Sequence, residues 1–219
     1  MTTEKAAKTP AETKTKEVNV LTSPERLRTH WFYYLAAFAV RNYARLFLGL
    51  KVHGTENIPQ TPGLVVASNH FSTFDPPVIG SLVSREIHFM AKRELFESQP
   101  MRWLAEHLMA FPVDRSKSDM RAIKEALRYL KEGLAVGIFP QGTRKAADKE
   151  ALDGAAFLAQ RAGVPLLPAA IWREGRKFRV SFGEPITPQG RSREEMSALT
   201  RELMSRIDAL LPENAEEAG

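Results

Sequence analysis

Short apolar runs alternate with amphipathic segments along most of this chain. Gly, Pro or polar residues bound the apolar runs. The runs predict strands at residues 50–53, 64–67, 87–90, 110–113, 135–139, 166–172 and 178–182. Helical patterns lie at residues 24–50, 77–83, 93–109, 119–131, 148–162 and 192–211. Because strands that alternate with helices are typical of a parallel sheet covered on both faces, we predict the α/β class: a single domain with a largely parallel mixed sheet flanked by helices.

Composition divides the chain into four stretches. Residues 1–22 are polar and lack an apolar core, so we predict a disordered tail and no secretory signal. Residues 23–49 form an aromatic, apolar helical segment, and residues 50–212 hold the α/β domain. Residues 213–219 are predicted to be an acidic C-terminal tail.

The segment 23–49 combines aromatic and aliphatic side chains with basic residues. The basic residues are Arg26, Arg28, His30, Arg41 and Arg45. An amphipathic helix of this kind commonly lies in a membrane interface; the alternative is a helix that packs on the domain core. No uninterrupted apolar run approaches the roughly 20 residues of a membrane-spanning helix. We therefore expect a peripheral or monotopic protein on the cytoplasmic face of a membrane, with membrane lipid as a partner.

Charge and cysteine content narrow the classes of function. The formal net charge is +5 and the pI about 9.5, which suits an anionic lipid, a phosphorylated substrate, an acidic carrier protein or a nucleic acid. Because no nucleic-acid reading motif accompanies this charge, we predict no nucleic-acid partner. The chain has no cysteine, which excludes disulfides, thiolate metal sites and a cysteine nucleophile. The histidine spacing does not form a ligand set either, so no metal is predicted.

Residues 69–75 place a histidine and a carboxylate five positions apart, just after the predicted strand 64–67. In a regular helix His70 and Asp75 would point about 140° apart, so they meet only if the segment between them is a turn. Two prolines follow Asp75, and an N-cap aspartate followed by proline predicts that a helix starts there. A carboxylate that accepts from one imidazole nitrogen leaves the other nitrogen as a base. We therefore predict that His70 and Asp75 are catalytic.

Turns after other predicted strands hold basic residues that are candidate phosphate ligands. Arg115 and Arg144 lie just past two strand ends, and Lys92 follows a third strand. Loops beyond the strand ends of a parallel α/β sheet form its binding crevice, and arginine binds phosphate through two parallel hydrogen bonds. Gly142 allows a close approach of the backbone, and its N–H is a candidate donor to an oxyanion. A single cation of this kind is more often a solvated surface residue. The prediction of a phosphate site therefore depends on the three cations occurring together after strand ends.

These motifs, in this order, resemble those of the glycerophospholipid acyltransferase family, specifically the 1-acyl-glycerol-3-phosphate (lysophosphatidate) acyltransferases. Residues 69–75 match the family's Asn-His-x-x-x-x-Asp motif, and residues 111–115 are similar to its second block. Residues 139–144 match its Phe-Pro-Glu-Gly-Thr-Arg block, except that Gln141 replaces the glutamate. Residues 164–168 match its Val-Pro-x-x-Pro block. Four ordered blocks make the resemblance specific.

The resemblance implies a reaction and roles for individual residues. A fatty acyl group moves from an acyl-CoA or acyl-carrier-protein thioester to the free hydroxyl of lysophosphatidate, which gives phosphatidate in phospholipid biosynthesis. His70 is the general base and Asp75 orients it. The residues implied for phosphate binding are Arg115, Arg144 and Lys92, and those for the supporting loop or oxyanion are Asn69, Gln141, Gly142 and Thr143. The donor is a co-substrate, and no further cofactor is implied.

Two alternatives remain open from the sequence. Gln141 is compatible with a related acyltransferase whose acceptor is glycerol-3-phosphate, a lysophospholipid or an aminolipid. A non-catalytic membrane-surface lipid-binding protein, from a different class, would use the basic charge and the aromatic helix alone. A serine hydrolase is disfavoured because the chain has no Gly-x-Ser-x-Gly elbow. The motifs specify neither the oligomeric state nor the preferred acyl-chain length.

Overall fold

The computed structural model describes residues 30–114, 119–140 and 153–212. Within those ranges the helices are α1 (Trp31–Phe47), α2 (Asp75–Leu82), α3 (Gln99–His107), α4 (Met120–Lys131), α5 (Gly154–Ala162) and α6 (Arg193–Leu210). The strands are β1 (Lys51–His53), β2 (Leu64–Ser68), β3 (Ile87–Lys92), β4 (Phe111–Val113), β5 (Ala135–Ile138), β6 (Leu166–Glu174) and β7 (Lys177–Phe182). Each predicted strand and helix therefore has a counterpart. The predicted tails, residues 23–29 of the predicted helical segment with Arg26 and Arg28, and residues 148–152 of another predicted helix lie outside the described residues.

The seven described strands form one sheet in the order β1-β7-β6-β2-β5-β3-β4. Neighbouring strands are parallel except for β6 and β7, which form an antiparallel hairpin. Strand β2 is central, with Val66 opposite Leu167 of β6 and Gly137 of β5. The carboxyl ends of β6, β2, β5, β3 and β4 consequently share one edge of the sheet. This topology confirms the predicted α/β class with its largely parallel mixed sheet.

Two apolar layers cover the sheet, one on each face. On one face, Leu64 and Val66 of β2 pack with residues of α1 and α2. On the other face, Val65 and Ala67 pack with residues of α4, α5 and α6. All four side chains are buried, which explains the uninterrupted apolar run in the sequence. Burial of each valine or leucine contributes roughly 1.5–3 kcal/mol, so β2 firmly supports the turn that follows it.

Helix α1 packs on the domain through one side only. Tyr33 and Ala44 are buried on that side, and the Tyr33 hydroxyl accepts a hydrogen bond from the Ile87 N–H at 3.2 Å. His30, just before the helix, lies 2.7 Å from the buried Glu86 carboxylate. The opposite side exposes large apolar residues: Trp31, Leu35, Phe38, Tyr43, Leu46 and Phe47. The helix therefore has a core-facing side and a separate exposed apolar side.

Candidate active site

His70 and Asp75 are in contact in the turn between β2 and α2. The His70 Nδ1 atom lies 2.7 Å from Asp75 Oδ2, because the chain turns after Ser68 and does not continue as a helix. An ionised carboxylate only accepts hydrogen bonds, so Nδ1 carries the proton and Nε2 carries the lone pair. The carboxylate thus holds the imidazole in the tautomer that a general base requires.

Asp75 is the first residue of α2, and Phe74 occupies the N-cap position. The predicted N-cap position of Asp75 is therefore wrong, because its carboxylate points back to the turn. There Oδ2 also accepts hydrogen bonds from the backbone N–H groups of Phe71 and Ser72, each at 2.8 Å. Asp75 is fully buried, and among the described residues its Oδ1 has no hydrogen-bond partner. A single carboxylate oxygen consequently fixes both the turn and the imidazole.

Asn69 ties this turn to strand β6. Its Nδ2 donates to the Ile171 carbonyl at 2.8 Å, and its Oδ1 accepts from the Ile171 N–H at 2.8 Å. The side-chain amide therefore replaces the backbone partner that β2 would have supplied had the strand continued. Since Ile171 is fully buried, an unpaired N–H at that position would be costly. The position of the turn is thus fixed from β6 as well as from α2.

A series of stacked rings supports one face of the His70 imidazole. The imidazole stacks on Phe139 with 4.0 Å between ring centroids, and Phe139 stacks on Phe89 at 5.7 Å. Phe89 lies over Gly137 of the neighbouring strand β5, where a Cβ atom would overlap the Phe89 ring. Glycine at 137 therefore permits the stack. The stack favours the orientation of the imidazole that faces Asp75.

A cavity of about 480 Å³ adjoins His70. It lies among α1, α2, β3 and α3, and its lining is mainly apolar. Six of its apolar lining residues are Ala36, Ala37, Val40, Pro77, Met101 and Leu104. Polar groups in the lining include Thr73, Ser81 and Lys92 as well as His70. The arrangement provides an apolar compartment with an oriented imidazole in its wall, which suits a long hydrocarbon chain attached to a reactive carbonyl.

The other predicted site residues fall into two groups. Lys92, the last residue of β3, lines the same cavity as His70. The residues outside the described part of the chain are Arg115, Gln141, Gly142, Thr143 and Arg144. Strands β4 and β5 precede them and end at Val113 and Ile138, on the sheet edge that carries the His70 turn.

A hydrogen-bonded carboxylate anchors the connection between β4 and α4. Asp119 accepts from the backbone N–H of Asp114 at 3.0 Å and from those of Arg121 and Ala122 at the helix start. Its Oδ2 also lies 3.5 Å from Arg93 Nη2. The hydrogen bond from Asp114, those at the helix start and the charge of Arg93 lower the pKa of Asp119 below its ordinary value. Both ends of this connection are consequently fixed at the edge of the sheet.

Phe139 and Tyr33 are parts of this site that were not predicted from the sequence. Phe139 directly follows β5, and its position before a predicted ligand loop is the signal that indicates it. Tyr33 holds α1 in place as a cavity wall, since its hydroxyl bonds to the Gly80 carbonyl at 3.4 Å and accepts from Ile87. No sequence signal separates Tyr33 from the other aromatic residues of α1, because its partners come from a different part of the chain.

Comparisons with known proteins agree on one family. A sequence model of the acyltransferase family matches residues 49–172, which include the His70 turn. The chain is 35% identical over 192 residues to the 1-acyl-sn-glycerol-3-phosphate acyltransferase of Bacillus subtilis, and the match covers 81% of this chain and 96% of that protein. It is 31% identical over 147 residues to the protein of the same name from Streptococcus pneumoniae, covering 61% and 54% respectively.

The fold is similar to a solved structure as well. The crystal structure of PlsC, the 1-acyl-sn-glycerophosphate (LPA) acyltransferase from Thermotoga maritima, matches with a TM-score of 0.66 and 29% sequence identity. The match covers 86% of this chain and 83% of that chain. Among the described helices, none has the length and apolar character needed to cross a membrane.

Proposed function

This chain belongs to the acyltransferase family, and we propose that it transfers a fatty acyl group from a thioester to the free hydroxyl of 1-acyl-glycerol 3-phosphate, giving phosphatidate. The single observation that carries the proposal is the His70–Asp75 contact of 2.7 Å in the wall of an apolar cavity. The activity named for the Bacillus subtilis relative, which this chain matches over nearly that protein's whole length, supports the choice of acceptor.

His70 is the general base in this reaction. A thioester is already activated, because its thiol leaving group has a pKa of about 8.5, so the enzyme needs no covalent nucleophile. His70 Nε2 removes the proton of the acceptor hydroxyl while the oxygen attacks the thioester carbonyl carbon. The tetrahedral oxyanion then collapses, the C–S bond breaks, and the imidazolium returns its proton to the departing sulfur. General base catalysis of this kind contributes roughly 10²–10⁴-fold, and Asp75 stabilises the imidazolium.

The cavity holds the acyl chain next to this base. Its apolar lining offers a long hydrocarbon chain about 0.8 kcal/mol of transfer free energy for each buried methylene. The bound acyl chain thereby places the thioester carbonyl beside His70. Acyl-CoA or acyl-carrier protein is the donor, and this reaction requires no metal or further cofactor.

The phosphate of the acceptor is bound by basic residues at the carboxyl edge of the sheet. Lys92 shares the cavity wall with His70, which supports this role. Arg115 and Arg144 are assigned the same role from their positions past the ends of β4 and β5. Gln141, Gly142 and Thr143 belong to the loop that supports the oxyanion. Positioning of the hydroxyl by these cations matters as much as proton removal, since reactants held in place react as if highly concentrated.

The protein binds the cytoplasmic face of a membrane peripherally, through the exposed apolar sides of α1 and α3. In α1, Leu46 is 77% exposed and Phe38 is 58% exposed. Trp103 of α3 is 50% exposed, and its ring centroid lies 5.1 Å from that of Phe32 of α1. The two helices thus present neighbouring apolar surfaces, which favour an interfacial location. Arg45, also exposed on α1, suits anionic headgroups.

An acceptor panel tests this function. Purified protein is incubated with labelled palmitoyl-CoA and lysophosphatidate, glycerol-3-phosphate, lysophosphatidylcholine or an aminolipid, and the products are separated. We expect labelled phosphatidate as the main product. Turnover of another acceptor with none of lysophosphatidate would assign a different acyltransferase reaction. Binding of these lipids without any transfer would favour the non-catalytic lipid-binding alternative.

A further inference from the structure

Arg173 lies near the end of β6, at the same edge of the sheet as the His70 turn. It follows two residues after Ile171, to which Asn69 ties the turn. Its cross-strand neighbour in the β6–β7 hairpin is Phe178. The predicted strand ends at residue 172, so Arg173 satisfies the same strand-end criterion that identified Arg115 and Arg144.

Aromatic rings hold the Arg173 guanidinium close to the catalytic turn. Its Cζ atom lies 4.7 Å from the centroid of the Phe178 ring and 5.7 Å from that of Phe71. These two rings are themselves in contact, with 5.9 Å between their centroids. Phe71 is the residue that directly follows His70. The cation is thus positioned beside the turn by cation–π contacts, which leave the N–H groups of the guanidinium available.

No carboxylate of the described chain forms an ion pair with Arg173. The adjacent Glu174 instead pairs with Arg179, at 2.8 Å between Oε2 and Nη2. Arg173 is exposed to solvent. A guanidinium that is held by rings and lacks a carboxylate partner in the described chain is suited to an anionic ligand, because its N–H donors make no hydrogen bond to the described residues.

The strand order places Arg173 and the cavity on opposite sides of His70. The turn that carries His70 follows the central strand β2. The cavity lies on the side of β5 and β3, where Phe89 and Lys92 line it. Arg173 lies on the other side, over β6 and β7. When an acyl chain fills the cavity, the space on the Arg173 side of His70 remains for the second reactant or for the polar end of the first.

We propose that Arg173 is a phosphate-binding residue of the active site, on the opposite side of His70 from Lys92. This inference rests on the proposed function, whose reactants carry phosphate groups. Two sources share that chemistry: the phosphomonoester of lysophosphatidate and the phosphates of an acyl-CoA donor. Arginine binds either one through two parallel hydrogen bonds, so experiments with separate reactants identify the source.

The test compares Arg173→Gln with Arg173→Lys and with a matched control, Arg176→Gln. Arg176 is also exposed, lies in the turn of the same hairpin and has no role in the proposed site. KM and kcat are measured for lysophosphatidate and for palmitoyl-CoA, and then with a palmitoyl N-acetylcysteamine thioester, which lacks phosphate. We expect Arg173→Gln to raise one KM about tenfold, since a hydrogen bond to a charged group is lost. Because the side chain is exposed, kcat and Tm should change little, and lysine should restore part of the loss.

The KM values distinguish whether Arg173 binds the phosphate of the acceptor or those of the donor. A raised KM for lysophosphatidate with either donor assigns Arg173 to the acceptor. A raised KM for palmitoyl-CoA that disappears with the phosphate-free thioester assigns it to the donor. Calorimetric titration of the wild type and of Arg173→Gln with CoA and with hexanoyl lysophosphatidate measures the same contact without turnover. A wild type that binds these ligands but transfers no acyl group would contradict the proposed function and not the role of Arg173. Unchanged KM values and affinities, or equal effects in Arg176→Gln, would overturn the proposal.

Discussion

At the scale of single residues, Asp75 shows how one buried carboxylate organises the turn that carries His70. Its Oδ2 accepts from the His70 ring and from the N–H groups of Phe71 and Ser72. The same oxygen therefore sets the backbone of the turn and the tautomer of the imidazole. Any displacement of the turn would disturb both at once.

Asn69→Ala tests how much of this geometry depends on β6. The substitution removes both hydrogen bonds to Ile171 and leaves the buried Ile171 N–H without its partner. We expect the free energy of unfolding to fall by about 1–3 kcal/mol. We also expect kcat/KM for lysophosphatidate to fall about 10- to 100-fold, because the turn moves relative to the reactants.

A matched control exists at Asn57, whose Nδ2 donates to the Phe182 carbonyl at 2.9 Å, away from the site. Asn57→Ala should destabilise the fold without a comparable loss of kcat/KM. If Asn69→Ala and Asn57→Ala lost activity only in proportion to their lost stability, Asn69 would have no positioning role.

The spacing of His70 and Asp75 allowed their contact to be predicted from the sequence, since only a turn brings residues five apart together. The position of Asp75 within the helix could not be predicted, since Phe74 and not Asp75 occupies the N-cap. Pro76 would be the first helical residue if the helix began after Asp75 and is the second because it begins at Asp75. Proline is tolerated at both positions, so the sequence does not distinguish them. Only the backbone N–H groups of Phe71 and Ser72, which the turn exposes, decide that the carboxylate points backwards.

At the scale of elements, α1 is held to the core by a buried phenol. Burial raises the pKa of Tyr33 to about 12. Above pH of about 10 the unfolded chain loses this proton whereas the folded protein keeps it, so the free energy of unfolding falls as pH rises. Comparison with Tyr33→Phe isolates the effect: the stability difference between the two proteins should fall by roughly 2 kcal/mol between pH 10 and 12.

Urea unfolding followed by circular dichroism across this pH range measures that difference. Tyr129, whose pKa burial likewise raises to about 12, is present in both proteins and so cancels. A stability difference that stays constant over the range would show that Tyr33 ionises equally in the folded and unfolded states.

The exposed apolar side of α1 is the proposed membrane-contact surface. Phe38→Asp with Leu46→Asp replaces two exposed apolar residues by charge. We expect at least about a tenfold loss of partitioning onto phosphatidylglycerol vesicles, since two apolar contacts worth roughly 1.5–3 kcal/mol each are removed. The measurement is co-sedimentation with the vesicles.

Met120→Asp is the matched control for this variant. Met120 is also exposed, but it lies on α4, which covers the opposite face of the sheet. Its substitution should leave vesicle binding unchanged. Equal binding by the α1 variant and the wild type would place the membrane contact on another surface.

At the scale of the whole molecule, the sheet order gathers the site from distant parts of the chain. The His70 turn follows β2, the cavity combines α1 with β3 and α3, and the proposed phosphate ligand Arg173 comes from β6. Strand and helix patterns predicted these elements and the shared edge. They could not predict the cavity, because its volume depends on how α1 packs against α2 through Tyr33, and that packing is a tertiary contact.

The cavity predicts a limit on acyl-chain length that a single residue should change. Ala37 on α1 lines the cavity, and Ala37→Phe fills part of it. The ratio of kcat/KM for hexadecanoyl-CoA over decanoyl-CoA should fall at least about tenfold, because each excluded methylene forfeits roughly 0.8 kcal/mol. Ala39→Phe, at an exposed position of the same helix, should leave the ratio unchanged. An unchanged ratio in Ala37→Phe would show that the acyl chain lies elsewhere.

In the proposed mechanism His70, oriented by Asp75, removes the proton of the acceptor hydroxyl. Single-turnover transfer from palmitoyl-CoA to lysophosphatidate by His70→Ala tests it most directly, with palmitoyl-CoA affinity and the circular dichroism spectrum measured on the same preparation. We predict that the rate constant falls by at least about 10²-fold while the affinity and the spectrum match the wild type. A rate constant within a few-fold of the wild type would contradict this mechanism.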